Sequence, residues 1–324
     1  MRKLDILVPT YNEDESVIKP LLDSIAIQQN VDFNDIGVII CCDGGTFRIS
    51  DELISKYPYK IEFHLCEHKG VSAARNTCLD YSAAEYVSFS DIDDMYANVC
   101  GLWMMFREMK AGFDSMVSVF IEESRHPETK EVIYLNHDKD STFVHGKFHR
   151  RQYLLDKCIR WNEKLTIHED SYFNILCQNL SNNVKYCPTP FYLWKWRDDS
   201  VCRHDAKYIL KTYKNMLDSN DALVDEFLGR GMSDKATFFS VMMIFDAYYT
   251  MNKEEWLNQE NQEYRNMTEK RFSEYYKKHK DMWVNIPIND KMVISNQVRT
   301  RSVAEGMRME SITVDAWLRH VEEL

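Results

Sequence analysis

The first hundred residues alternate two hydrophobic rhythms. Leu4–Val8, Ile36–Cys42, Ile61–Leu65 and Tyr86–Phe89 are short, mostly apolar runs, each followed by polar or turn-forming residues. Runs of this length predict strands buried on both faces. Between them, Val17–Gln28 places apolar residues at 17, 18, 21, 22 and 25, the spacing of a helix face. Glu52–Lys56 and Ser72–Ala84 read as further helices, the second capped by Ser72. This alternation predicts an α/β fold with a mostly parallel sheet flanked by helices. In such sheets ligands bind outside the carboxyl ends of the strands. Those ends carry Thr10-Tyr11-Asn12-Glu13, Asp43-Gly44-Gly45, Glu67-His68-Lys69-Gly70 and Ser90-Asp91-Ile92-Asp93-Asp94, one polar rim of carboxylates, glycines and an aromatic.

The texture changes near residue 205. All 9 cysteines lie at or before Cys202, and six of the 7 prolines precede residue 205. Beyond it, sets such as Leu210, Tyr213, Met216 and Leu217 follow helical spacing. Two domains are expected, 1–204 and a helical 205–324. The second reads first as a packed helical core, with acceptor binding or oligomerisation as its candidate roles.

Composition narrows the classes. A 324-residue chain with 44% hydrophobic and 28% charged residues is ordinary for a globular protein and excludes disorder as the main state. The net charge of −11 provides no global footprint for nucleic acid. The longest late apolar run, Phe238–Phe245, falls far short of the ~20 residues that span a bilayer. An odd number of cysteines without a CxxC pair and without a signal peptide points to free thiols and a cytoplasmic setting.

Several stretches carry candidate chemistry. Asp91, Asp93 and Asp94 crowd three carboxylates behind a strand, which fits either a divalent cation such as Mn²⁺ or Mg²⁺ or a helix N-cap cluster. Position 6 counted from Asp91 is Tyr96, where an EF-hand needs glycine. Asp43-Gly44-Gly45 is either a common turn or a carboxylate open to a base or ribose. There is no GxGxxG and no GxxxxGK[ST], so a dinucleotide fold and a P-loop lack support. Arg75, one turn into a helix that starts with small residues, fits a surface arginine or a partner for a diphosphate. Asp170 in His168-Glu169-Asp170 is a helix cap or a general base. In Tyr192-Leu193-Trp194-Lys195-Trp196-Arg197, aromatics alternate with cations, as in an edge strand or a sugar platform with a phosphate clamp. His204 follows as a candidate metal ligand.

Taken together and in order, these stretches resemble the family 2 glycosyltransferases over about residues 4–202. The likeness rests on Leu7-Val8-Pro9-Thr10-Tyr11-Asn12-Glu13, Cys42-Asp43-Gly44-Gly45, Gly70-Val71-Ser72-Ala73-Ala74-Arg75-Asn76, Tyr86–Asp94, His145–Arg151 and His168-Glu169-Asp170. It implies the GT-A fold, Rossmann-like, and an inverting, metal-dependent transfer from a nucleotide sugar to an acceptor hydroxyl. On that resemblance Pro9, Thr10, Tyr11, Glu13, Asp43, Arg75, Asp91, Ile92 and Arg197 hold the donor, with UDP expected. It implies that Asp91 and Asp93 organise Mn²⁺ or Mg²⁺ on the diphosphate; His204 is a candidate ligand from the residues alone. Asp170 is the base and Glu169 supports the acceptor. Cys42 departs from the usual first carboxylate of its turn, and Ser90 from the usual hydrophobic residue before the DxD.

Three readings remain open from sequence: a glycosyltransferase acting on a glycan, a teichoic-type polymer or a lipid-linked sugar; the same chemistry on a modified DNA base, as in phage enzymes; and a non-catalytic sugar-nucleotide or carbohydrate binder.

Overall fold

The structure, a computed structural model, describes residues 1–198, 200, 208–253, 256, 259–304 and 313–324, the side chains of 301–304 apart. The chain forms two compact units, Met1–Asp198 and Asp199–Leu324.

In the first unit the predicted alternation is present: β1 (Leu4–Thr10), α1 (Glu15–Ala26), β2 (Ile36–Asp43), α2 (Asp51–Ile54), β3 (Lys60–Cys66), α3 (Val71–Tyr81) and β4 (Tyr86–Phe89). Every residue of β1 and β2 is buried, which explains their unbroken apolar runs. Helix α1 buries Ile18, Leu21, Leu22 and Ile25 on one stripe, and Asp14 caps it by accepting from the Ser16 amide at 2.9 Å. Ser72 is not the cap of α3. Gly70 holds that position at φ 96°, and Ser72 lies inside the helix with its hydroxyl donating to the Leu165 carbonyl. The small residues Ser72, Ala73 and Ala74 are buried where α3 packs on β1 and β2.

The sheet runs β3-β2-β1-β4-β8-β6-β9-β5, with β5 Met95–Tyr96, β6 Ser115–Arg125, β8 Lys147–Arg150 and β9 Val184–Trp194; β7 (Val132–His137) pairs β6. The β3-β2-β1-β4 half is parallel, as the sequence suggests. The other half is mixed: β8 runs antiparallel to β4 and β6, and β9 parallel to β6. The stretch ending at Trp194 is therefore not an edge strand. It lies between β6 and β5, and Lys195–Arg197 continue beyond it. The helices α4 (Gly101–Ala111), α5 (Arg151–Asp156) and α6 (Glu169–Asn179) complete the unit. The eight described cysteines are free thiols.

The second unit is helical: α7 Tyr208–Gly229, α8 Ser233–Met251, α9 Gln262–Asn285, α10 Ile288–Ala304 and α11 Val314–Glu322. Its aromatic-rich core includes Tyr213, Phe245, Tyr249, Trp256, Phe272, Tyr275, Trp283 and Trp317. Buried hydroxyls find partners there, Tyr213 donating to Asp246 and Tyr275 to Asn220, each at 2.6 Å. Among the described residues no helix is long and apolar enough to cross a membrane.

Candidate active site

The carboxyl ends of β1, β2 and β4 form one rim because β1 lies between the other two. At the end of β1, Glu13 Oε2 accepts from the Thr10 hydroxyl and the Tyr11 amide, both at 2.7 Å, and so fixes the loop. The exposed ring of Tyr11 stacks on His68, with centroids 4.8 Å apart and planes at 22°. Gly45 passes directly behind it: a Cβ there would stand 1.9 Å from the Tyr11 carbonyl oxygen. Cys42, the departure noted in the sequence, donates its thiol to that same carbonyl at 3.3 Å.

Asp43 is buried and already occupied. Oδ1 accepts from the Lys69 amide at 2.8 Å, and Oδ2 accepts from the Gly70 amide and faces His68 Nδ1, each at 2.9 Å. His68 Nδ1 meets two acceptors, the Asp43 carboxylate and its carbonyl oxygen, so this nitrogen carries the proton. The carboxylate shapes the 68–70 loop and the entry to α3.

Beyond β4 the acidic cluster is organised from the far side of the sheet. The Tyr192 hydroxyl, on β9, donates to Asp94 Oδ2 at 2.7 Å and accepts from the Asp91 amide at 3.0 Å. The Lys195 amide donates to Asp94 Oδ1 at 2.9 Å, and Arg197 Nη1 pairs with Asp93 Oδ2 at 3.0 Å. Asp91, Asp94 and His145 each offer a ligand atom within 4.8 Å of the others. His145 is buried and stacks on Tyr192 and Trp194, at 5.0 and 4.9 Å between centroids. Burial and then the neighbouring Asp91 raise the proton affinity of Asp93, and raise that of Asp94 further. Two carboxylates and an imidazole suit a divalent cation such as Mn²⁺, whose charge would relieve this crowding. A second acid–histidine group, Asp221, Asp225 and His279 in the helical unit, already holds Arg271 and Lys278.

Helix α6 supplies the other side. His168 caps it in the left-handed region at φ 62°, an uncommon backbone for a non-glycine residue. Glu169 Oε1 accepts from Arg75 Nη1 at 2.8 Å, while Arg75 Nη2 reaches Asp91 Oδ1 at 3.1 Å. Burial and adjacent Glu169 push the Asp170 carboxyl up to about 7, against the opposing pull of Arg75 and Lys147. One turn along α6, the Asn174 amide donates to the carbonyls of Thr142 and Phe143. Buried Lys147 donates to Asp140 and to the Phe143 carbonyl. These bonds anchor the segment that leads into His145.

The structure thus joins Asp91 and Glu169 through Arg75, pairs Asp93 with Arg197, and sets Asp170 beside Glu169. Thr10, Tyr11, Glu13 and Asp43 stand along the rim. Pro9 and Ile92 are buried in the frame. His204 lies outside the described residues. The sequence expectations name Tyr192 only within the 192–197 stretch and His145 only within the 145–151 segment of the resemblance, and they do not name Asn174. The alternating aromatics at 192–196 are the available signal for Tyr192, while Asn174 depends on long-range pairing.

Comparison with known proteins agrees with this frame. The minor teichoic acid biosynthesis protein GgaB of Bacillus subtilis is 28% identical over 187 residues, 51% of this chain and 20% of that protein. The chain spans a fifth or less of the length of the first curated relatives that it matches, at 13%, 14% and 20%. Among solved structures, S. aureus TarS 1-349 in complex with UDP-GlcNAc superposes with a TM-score of 0.64 at 16% identity, covering 92% of each chain. The mannosyltransferase PcManGT from Pyrobaculum calidifontis, in complex with GDP-Man and Mn²⁺, gives 0.52 at 12% identity, covering 83% of this chain and 84% of that one. At these identities the two likenesses establish the fold. Residues 5–168, which hold the rim, the acidic cluster and the cap of α6, match the family model for glycosyl transferase family 2, and the chain belongs to that family.

Proposed function

We propose that the protein transfers a sugar from a nucleoside diphosphate donor, UDP-linked above all, to an acceptor hydroxyl with inversion at the anomeric carbon. One observation carries the reading. A single guanidinium, Arg75, spans Asp91 at the end of β4 and Glu169 at the start of α6, so the strand-end carboxylates and Asp170 share one site.

Transfer requires charge compensation at the departing diphosphate and a base for the attacking hydroxyl. Asp91, Asp94 and His145 would hold the divalent cation, with Asp93 and its partner Arg197 alongside. When bound, such a cation neutralises negative charge on the diphosphate leaving group. At the β1 and β2 ends, Thr10, Glu13 and Asp43 fix a loop frame on which the exposed Tyr11 ring presents a face for the nucleobase. Asp170 takes the proton of the acceptor hydroxyl, and its raised proton affinity suits that task near neutral pH. Glu169, already bonded to Arg75, fixes the start of the helix that carries it.

The acceptor in this reading is a hydroxyl on a polymer or glycan, which the likeness to a teichoic acid biosynthesis protein supports. Free thiols support a cytoplasmic setting. The test is a thermal-shift screen of nucleotides with Mn²⁺, because a ligand that binds only the native state raises its melting temperature. UDP or a UDP-sugar is expected to raise it and to lose the effect with EDTA. A screen in which no nucleotide shifts the transition contradicts the proposal.

A further inference from the structure

Arg75 looks from sequence like a donor-phosphate ligand, but in the structure its terminal nitrogens already hold two carboxylates. The side chain is 6% exposed. Nη1 is committed to Glu169 and Nη2 to Asp91. The guanidinium lies 4.4 Å from the centroid of the Trp161 ring, and that ring stacks on Phe173 of α6 at 4.2 Å with planes at 5°. Nε is buried without a hydrogen-bond partner, as is Trp161 Nε1. A guanidinium recognises phosphate through a planar fork. Here each terminal nitrogen already donates to a carboxylate, Nη1 to Glu169 and Nη2 to Asp91, and an aromatic ring lies beside the guanidinium. A phosphate at the Nη1–Nη2 end of the guanidinium would compete with Asp91 and Glu169 and leave a carboxylate without its partner.

The three groups that Arg75 touches come from three places: the end of β4, the first residue of α6, and the segment between α5 and α6. We propose that Arg75 is a positioning residue, a clamp that ties the acceptor-base helix to the strand-end carboxylate and does not itself bind the donor. The inference rests on the glycosyl-transfer reading and deepens it. The clamp sets the distance between the carboxylate that faces the leaving group and the residue that faces the nucleophile. Its loss should therefore impair turnover more than nucleotide affinity. Removing the guanidinium would also leave Glu169 beside Asp170 as adjacent carboxylates without their shared counter-charge.

The experiment compares Arg75→Lys, Glu169→Gln and the double variant with the wild type. UDP affinity with Mn²⁺ is read by calorimetry, and kcat and KM by hydrolysis of UDP-N-acetylglucosamine. Lysine keeps the charge but reaches only one carboxylate. The expected result is a kcat about 10–100-fold lower for either single variant, with UDP affinity and KM within about threefold of wild type. The double variant should cost little more than the worse single one, because both break the same link. A drop of more than about tenfold in UDP affinity for Arg75→Lys, additive with Glu169→Gln, would make Arg75 a donor ligand and overturn the clamp. Should Arg75→Lys not fold, Glu169→Gln alone decides by the same split between kcat and affinity. A wild-type protein that neither binds UDP nor hydrolyses the donor overturns the transfer reading together with this one.

Discussion

The hydroxyl of Tyr192 joins two members of the acidic cluster, donating to Asp94 at 2.7 Å and accepting from the Asp91 amide at 3.0 Å. Tyr192 lies on β9, about a hundred residues from the carboxylates it orders, and is fully buried. Tyr192→Phe should preserve the ring packing and remove only the bridge. A buried carboxylate that loses its donor costs about 1–3 kcal/mol, so the midpoint of urea unfolding should fall. Mn²⁺-dependent UDP affinity should weaken by roughly 10–100-fold, as when a partner that orients a metal ligand is removed. An unchanged midpoint and unchanged affinity would mean that the bridge organises nothing.

The cation site can be assigned by substitution. Asp91→Ala and His145→Ala should each weaken UDP binding in Mn²⁺ by at least about tenfold and leave the residual metal-free binding alone. Asp93→Ala tests the DxD reading separately, because Asp93 is paired with Arg197 at 3.0 Å and lies outside the Asp91–Asp94–His145 group. A larger loss from Asp93→Ala than from His145→Ala would return the ligand role to the second aspartate of the DxD.

The pH dependence has a definite sign. Burial and Glu169 raise the Asp170 carboxyl to about 7 in the folded protein. A free aspartate in the unfolded chain titrates near ~3.9. The folded state thus favours the protonated form, and the stability from this group is full below the unfolded value. It is lost as pH rises through about 7. Asp170→Asn should therefore melt higher than wild type near about pH 8, and alike near about pH 4, by differential scanning calorimetry. Turnover by the wild type should rise with pH across the same window, because only the ionised carboxylate accepts the proton.

Gly45 tests the rim. A Cβ at this position would stand 1.9 Å from a backbone oxygen of Tyr11, so the two loops must separate in Gly45→Ala. Overpacking of this kind costs roughly 1–3 kcal/mol. The melting temperature should fall, and UDP affinity should fall with it because the Tyr11 ring moves. Loss of stability with full affinity would remove Tyr11 from the donor site.

The parallel half of the fold is legible in the sequence because each element carries its own signal. β1 and β2 are buried on both faces and read as apolar runs, and α1 repeats its apolar residues at helical spacing. The cap of α3 departs from the sequence expectation: Ser72 is a favoured cap residue by type, whereas a glycine at φ 96° and the Asp43 carboxylate make this helix start. The place of β9 inside the sheet was not legible. An alternating pattern records one solvated side but not which strand fills the neighbouring position. Asp91 and Asp170 stood out through local motifs. The group between them did not, since Arg75 meets Glu169 across 94 residues of sequence and Tyr192 meets Asp94 across 98.

The most direct test of the account is Asp170→Asn, assayed side by side for UDP binding in Mn²⁺ and for turnover of UDP-N-acetylglucosamine. The account predicts affinity close to wild type and a turnover loss of about 10²–10⁴-fold, the usual contribution of a general base. Turnover within about tenfold of wild type, at unchanged affinity, would contradict it.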